Sequence, residues 1–180
     1  MPESADARLA ELGIELPEPA RPPFAPRLVP ARVHGGLAYL SGNGVFDVIG
    51  SVGGDVTVEE AQDAARRTAL ALLRVIRDEL GSLDAVERWV KVLGFVRSAP
   101  GFADQPAVIN GFTEQIVEVY GEERGLCARS AIGVSELPGG IAVGFAALVL
   151  LALLAQRWLQ GRARPKHERV RDPWSRPWKR

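Results

Sequence analysis

An amphipathic helix pattern at residues 57–81 is the feature that most constrains how this chain can fold. Thr57 followed three residues later by Glu60 is a capping box, which marks the start of a helix. Apolar and small side chains then recur at helical spacing as far as Gly81, at positions 61, 65, 68, 72, 75, 76 and 80. The opposite side of the pattern is charged. The segment therefore predicts a long helix with one buried and one solvated face.

A second helix pattern lies at residues 104–121. Asp104 is the expected N-cap, Pro106 lies in the first turn, and Gly121 is expected to end the helix. Its apolar stripe consists of positions 109, 112, 116, 119 and 120. The spacing predicts an ordinary helix that is also buried along one face.

β-Strand patterns surround the two helices. Residues 33–42 (VHGGLAYLSG) predict a largely buried strand, and residues 86–96 predict a central strand. Residues 131–134 and 141–151 flank a Leu-Pro-Gly-Gly turn and predict two further strands. This order predicts an α+β fold with both helices on one face of the sheet. The other sheet face would be too apolar for a monomer, so self-association is expected.

The two ends of the chain differ from this central unit. Residues 1–30 are predicted to be an extended arm, because residues 17–30 contain six prolines. Residues 31–151 are predicted to be the folded domain, and residues 152–180 to be a C-terminal extension. Residues 157–180 carry nine basic and two acidic side chains, which leaves a net charge of −7 on the preceding 156 residues. The tryptophans among these arginines could bind single-stranded nucleic acid or an anionic membrane surface, but a solvated extension without a function is favoured.

The uncharged residues 137–156 permit two interpretations. About 20 apolar residues followed by basic ones are long enough to span a membrane. A strand at residues 141–151 is favoured, because removing the last strand would break the core. The N-terminus has no signal-peptide pattern, and the single cysteine, Cys127, excludes an internal disulfide. These features predict a cytoplasmic protein.

Five segments match the RidA/YjgF superfamily of imine and enamine deaminases in order and spacing. They are residues 36–42 (GLAYLSG), 54–57 (GDVT), 81–84 (GSLD), 108–111 (VING) and 128–138. The last segment begins with Ala-Arg-Ser and ends with Leu-Pro. The chain resembles this superfamily over residues 9–151. The resemblance implies a chorismate-mutase-like fold and a homotrimer with ligand clefts between neighbouring subunits. It also implies that neither a metal nor an organic cofactor is needed.

The resemblance assigns roles to several cleft residues. Arg129 falls on the family's arginine that binds the substrate carboxylate, and a guanidinium can hold a carboxylate through two parallel hydrogen bonds. Asn110 matches an asparagine near the cleft, and Ser41 and Gly42 match a serine-glycine pair that lines it. Cys127, just before the Ala-Arg-Ser run, is a further candidate for contact with the ligand.

These residues also have purely structural interpretations. Arg129 could pair with Glu136 or Asp47 instead of binding a ligand. Asn110 could be a local hydrogen-bonding residue within its helix, and Ser41 could simply end a strand.

Several departures from the family pattern bear on catalysis. Gly144 occupies the position of the glutamate that helps to orient the attacking water, and Leu28 and Asn43 replace a cleft tyrosine and a glutamine. Losing a general base typically lowers the rate by about 10²–10⁴-fold. Cys127 replaces a proline or histidine. It could be a nucleophile whose pKa Arg129 lowers, but an inert, buried cysteine is favoured because no histidine is spaced to activate it.

Three functions follow from the sequence. The leading hypothesis is a hydrolytic deaminase that releases ammonia from small carboxylate-bearing imines or enamines, such as 2-imino acids, with Arg129 as the anchor. The alternative is a catalytically weak ligand-binding homologue that lost the water-orienting glutamate. Endoribonuclease activity, a name attached to some family members, ranks last because the negative charge of the domain opposes phosphate binding.

Overall fold

The computed structural model describes residues 4–18, 27–153 and 155–157. The elements occur in the following order: α1 (Ala5–Glu11), β1 (Ala31–His34), β2 (Leu37–Asn43), α2 (Val58–Leu80), β3 (Val86–Arg97), α3 (Gln105–Gly125), β4 (Ala128–Val134) and β5 (Val143–Leu151). Short 3-10 turns at Leu83–Ala85 and Pro138–Gly140 precede β3 and β5. The predicted α+β class is confirmed.

The five strands form one mixed sheet in the order β1-β2-β5-β3-β4. β3 pairs with β4 in parallel, and the other neighbouring strands are antiparallel. The register places Val92 of β3 between Arg129 of β4 and Ala147 of β5. Because β3 lies between β4 and β5, the two strands that flank the Leu-Pro-Gly-Gly turn are not neighbours.

Both long helices pack on one face of this sheet. α2 contacts β2 and β5, α3 contacts β3 and β4, and the two helices contact each other. The two helices approach each other closely at Gly111, where an added Cβ would be 2.2 Å from the carbonyl oxygen of Gln62. Alternate strand residues such as Val92, Phe145 and Val149 are buried beneath the helices. The helix-covered face is therefore the core of the domain.

The opposite face of the sheet is not covered by any described element. Its strand positions are mostly apolar, and Tyr39 and Ile132 on this face are 47% and 39% exposed. On β5, Ala146, Leu148 and Leu150 of this face are only half-buried. We call this surface the open face.

The two helix predictions differ in how well they match the structure. The Thr57–Glu60 capping box is present, with both of its reciprocal hydrogen bonds, and Gly81 ends α2 in a left-handed conformation. Asp104 is the N-cap of α3 and Pro106 lies in its first turn, as predicted, although the Asp104 side chain makes no capping hydrogen bond. Gly121, with φ of 71° and ψ of 168°, breaks the helix as predicted, and a further short helical segment follows as far as Gly125.

Two predictions near the N-terminus need correction. The segment predicted as one strand is a hairpin, because Gly35 and Gly36 adopt φ values of 58° and 80° and turn the chain between β1 and β2. The first 30 residues are not extended throughout, since α1 forms there with Ser4 as its N-cap. The proline-rich part of the predicted arm lies largely outside the described residues.

Hydrogen bonds fix α1 to the end of α2 and to the turn that follows it. The Asp6 carboxylate accepts from Arg77 at 2.9 Å, from the Ser82 hydroxyl at 2.6 Å and from the Leu83 amide at 3.0 Å. Burial raises the pKa of Asp6, but these three donors outweigh burial and hold the pKa below its ordinary value. The first helix is thus part of the folded domain.

The uncharged segment before the basic tail forms β5 and the turn that precedes it. The favoured strand at residues 141–151 is confirmed with slightly different bounds, so a membrane span at residues 137–156 is wrong. Among the described residues, no helix is long and apolar enough to cross a bilayer. The tail from residue 158 onward lies outside the described residues, and so do its three tryptophans.

Candidate functional site

Arg129 lies on β4, at the edge of the sheet, with its side chain on the helix-covered side. Its Nη2 donates to Oδ1 of Asn110 at 2.8 Å, and its Nη1 donates to Oγ1 of Thr113 at 3.0 Å. Asn110 and Thr113 are three residues apart on α3, so they share one face of the helix. Two acceptors on a rigid helix therefore orient the guanidinium.

The charge of Arg129 is not neutralised within the described part of the chain. The two carboxylates expected to pair with it bind other arginines: Glu136 lies 3.2 Å from Arg97, and Asp47 lies 2.6 Å from Arg67. No described carboxylate oxygen lies within 4.0 Å of the Arg129 guanidinium. A guanidinium has five N–H donors, and neutral groups accept from only two of its nitrogens here. The remaining donors can bind an anion.

Cys127 lies two residues before Arg129 and is half-buried. Burial raises the pKa of its thiol, and the positive charges of Arg129 and Lys91 offset that rise only in part. The possibility that Arg129 lowers the pKa of Cys127 enough to make it a nucleophile is therefore wrong. A neutral thiol here acts as a small, mostly apolar wall.

A narrow slot, which we call the edge slot, opens beside Arg129 between α3 and the sheet. It is lined by Trp89, Val92, Phe112, Thr113, Ile116, Gly125 and Cys127. Thr113 is common to the slot and to the support of Arg129. The slot is nowhere wide enough for a water molecule.

Ser41 and Gly42 are not close to Arg129 within one subunit. β5 and β3 lie between their strand and β4, so three strand spacings, about 14 Å, separate them. The Ser41 hydroxyl donates to the carbonyl of Val29 at 2.6 Å, and Gly42 is exposed. Only Asn110 and Cys127, of the predicted site residues, therefore lie beside Arg129.

The glycine that replaces the family glutamate is also apart from Arg129 within one subunit. Gly144 pairs with Phe95 and faces the open side of the sheet, opposite to Arg129. A Cβ built on Gly144 would meet the carbonyl oxygen of Asn43 at 3.7 Å and the side chain of Leu137 at 3.8 Å, which are ordinary contacts. Leu28 is exposed. Position 144 thus has room for a side chain.

One neighbour of Arg129, Thr113, was not predicted from the sequence. It could have been found, because it lies one helical turn after Asn110 on the same face. Among the described residues, no group of three histidine, cysteine or acidic side chains could hold a metal ion.

Comparisons with known proteins complete this description. No protein-family model matches the chain. It is 43% identical over 150 residues to protein TCP17 of Trypanosoma cruzi. The matched region covers 81% of this chain and 92% of that protein. It is also similar to the crystal structure of Atu1372, a protein of unknown function from Agrobacterium tumefaciens. That match has a TM-score of 0.73 and 38% identity over 82% of this chain and 92% of that one.

The fold links the chain to a larger group. A putative endoribonuclease from Shewanella oneidensis MR-1 superimposes with a TM-score of 0.76 at 21% identity, over 83% of this chain and all of that one. The chain shares 43% and 38% identity with TCP17 and Atu1372 over most of its length and theirs, so it belongs to the same family as these two proteins. With the Shewanella protein it shares the fold. The Ala-Arg-Ser motif stands on β4, at the edge of the sheet.

Proposed function

We propose that this protein is a member of the RidA/YjgF superfamily and a hydrolytic deaminase of small, carboxylate-bearing imines or enamines such as 2-imino acids. The observation that carries the proposal is the guanidinium of Arg129, which Asn110 and Thr113 orient and no described carboxylate neutralises. A carboxylate that accepts two parallel N–H bonds from this group is held more strongly than a neutral acceptor would be. A bound 2-imino acid would thus have a fixed position at the edge of β4.

The proposed reaction needs only water as a co-reactant. Water adds to the imine carbon, the C=N double bond becomes a single bond, and the nitrogen leaves as ammonia after it gains protons. The products are a 2-oxo acid and ammonia. Arg129 holds the carboxylate through this sequence, which limits the motion of the reacting carbon relative to the water.

We further propose that the molecule is a homotrimer whose clefts bring Ser41 and Gly42 of one subunit near Arg129 of another. The apolar open face supports this assembly, because an exposed apolar surface of a whole sheet exceeds what monomers usually leave uncovered. The separation of about 14 Å between β2 and β4 within one subunit also favours a cleft made by two subunits.

A second candidate function is binding of a carboxylate ligand with little catalysis. Gly144 supports it, because a glycine side chain can neither hold a water nor accept its proton. A missing general base typically costs about 10²–10⁴-fold in rate. In the deaminase proposal, backbone and neutral polar groups orient the water instead. Endoribonuclease activity is the third candidate, and the net charge of −7 on residues 1–156 opposes it.

Ammonia release from freshly generated 2-imino acids separates these functions. We expect the wild-type protein to accelerate release and the Arg129→Ala variant to lose this acceleration. Turnover by Arg129→Ala equal to that of the wild type would refute the deaminase proposal as stated. No turnover by the wild type, together with a gain in Gly144→Glu, would establish the ligand-binding alternative.

A further inference from the structure

The end of the open face that carries Ser41 and Gly42 also carries Gly144. The strands β2 and β5 pair there, and a Cβ built on Gly44 would lie 3.8 Å from the Cα of Gly144. In the proposed trimer, this end of one subunit faces Arg129 of another. A side chain that accepts a proton from the attacking water therefore has to lie close to Gly144.

The strands themselves provide no carboxylate at this end. Glu87 is the only acidic residue of the five described strands. It precedes Phe95, the partner of Gly144, by eight residues on β3, which corresponds to about 26 Å of extended chain. The two acidic side chains of the loop after β2, Asp47 and Asp55, bind an arginine of α2 and a backbone amide of their own loop.

A carboxylate does lie at this end of the open face, on Glu136 in the loop that follows β4. Glu136 directly precedes Leu137, whose side chain would lie 3.8 Å from a Cβ built on Gly144. Its ion-pair partner, Arg97, is two residues beyond Phe95 on β3 and faces the same side of the sheet as Gly144. Two positions in this diagonal relation lie about 7–8 Å apart.

Arg97 holds the Glu136 carboxylate in place. Nη2 of Arg97 donates to Oε1 of Glu136 at 3.3 Å and lies 3.2 Å from Oε2, and Nη1 donates to the carbonyl of Gly140 at 3.1 Å. The Arg97 side chain is 21% exposed, whereas that of Glu136 is 71% exposed. The arginine is thus fixed within the domain. The carboxylate faces outward and keeps lone pairs with which it can bind a water.

We propose that Glu136 accepts the proton of the attacking water in the deamination. This inference rests on the proposed function. Neutral polar groups orient the water, the Glu136 carboxylate takes one of its protons, and its oxygen bonds to the imine carbon. The electron pair of the C=N double bond moves to the nitrogen, which receives that proton. The same carboxylate then transfers the hydroxyl proton to the nitrogen as the C–N bond breaks, which yields the 2-oxo acid and ammonia.

Steady-state ammonia release from freshly generated 2-iminopropanoate tests this role. Glu136→Gln keeps the size of the side chain and removes the proton acceptor, so we expect kcat to fall by about hundredfold or more. The KM and the dissociation constant of pyruvate should stay within about threefold of the wild type, because Glu136 contacts the water and not the ligand carboxylate. Glu114→Gln is the matched control. Glu114 is 65% exposed and lies 3.7 Å from Arg66, so its substitution also removes an exposed ion pair, and kcat should not change.

A carboxylate introduced at position 144 separates catalysis from a structural role of the ion pair. The double variant Glu136→Gln with Gly144→Glu has a proton acceptor again but still lacks the pair with Arg97. Because position 144 has room for a side chain, we expect the double variant to regain about tenfold or more in kcat over Glu136→Gln. Circular dichroism confirms that each variant is folded.

The outcomes distinguish this inference from the proposed function. Turnover by the wild type, with a kcat for Glu136→Gln within threefold of it, would overturn the role of Glu136 and leave the deaminase proposal intact. An equal loss in Glu114→Gln would overturn that role as well, and so would a double variant no faster than Glu136→Gln. No turnover by the wild type would overturn both proposals.

Discussion

Replacing Asn110 by aspartate should give Arg129 a permanent carboxylate partner. The Asn110 amide oxygen already lies 2.8 Å from Nη2 of Arg129, and aspartate has nearly the same shape as asparagine. The substitution therefore converts a hydrogen bond between a guanidinium and a neutral amide into an ion pair without moving either side chain. An incoming carboxylate would then meet a guanidinium whose charge is already neutralised.

The size of the effect follows from the repulsion between the new carboxylate and the carboxylate of the ligand. Two unit charges about 4 Å apart interact by about 1 kcal/mol in water and by about 4 kcal/mol at an effective dielectric constant of 20. A repulsion of roughly 1.4 kcal/mol, between these limits, corresponds to a tenfold larger dissociation constant for a 2-oxo acid. Because the new ion pair lies within the folded state, we expect the melting temperature of Asn110→Asp to stay equal or rise.

Calorimetric titration with pyruvate measures this loss directly. Thr113→Val is the matched control, because it removes the other acceptor of Arg129, at 3.0 Å, and leaves the charge untouched. We expect its dissociation constant to stay within about threefold of the wild type. Unchanged pyruvate affinity in folded Asn110→Asp would refute the view that Arg129 is the anion site.

Three further predictions concern the stability and reactivity of the domain. Gly111→Ala should lower the free energy of unfolding in urea by more than about 2 kcal/mol, because its Cβ would lie 2.2 Å from a carbonyl oxygen of α2. Gly144→Ala should lower it by less than about 1 kcal/mol. Equal losses in the two variants would contradict the packing described here. The pKa of Asp6 is below its ordinary value, because hydrogen bonds to the carboxylate outweigh the effect of burial. The contribution of Asp6 to the free energy of unfolding is therefore complete above about pH 4, and it is lost as the pH falls through the pKa of Asp6 in the folded state. We expect the stability of Asp6→Asn to depend less on pH in the acidic range than that of the wild type. Burial raises the pKa of Cys127, so iodoacetamide should alkylate it more slowly than free cysteine at pH 8, and an equal or faster rate would show an activated thiol.

Local signals in the sequence were sufficient for most of the elements. The capping box and the apolar stripe defined α2 because both depend on residues within one or two turns. The hairpin at Gly35 and Gly36 was missed because its two strands were read as one continuous alternation. α1 was missed because only its docking through Asp6 and Asp84 stabilises a helix of seven residues.

The site was only partly predictable for a different reason. Arg129 and Asn110 were found through motifs, and their contact depends on β4 lying beneath α3. The candidates on β2 are separated from Arg129 by two strands, and no spacing along the sequence reveals such a distance. Which carboxylates pair with which arginines depends on tertiary packing, so the alternative that Arg129 pairs with Glu136 or Asp47 could not be tested from the sequence.

The affinity of a single small carboxylate for Arg129 tests the central claim most directly. The measurement is the dissociation constant of pyruvate for wild type, Arg129→Lys and Arg129→Ala, titrated under identical salt conditions. We expect both variants to bind at least tenfold more weakly than the wild type, because an ammonium cannot reproduce the paired N–H bonds of a guanidinium. Wild-type affinity in folded Arg129→Ala would contradict the account, since the carboxylate would then bind elsewhere.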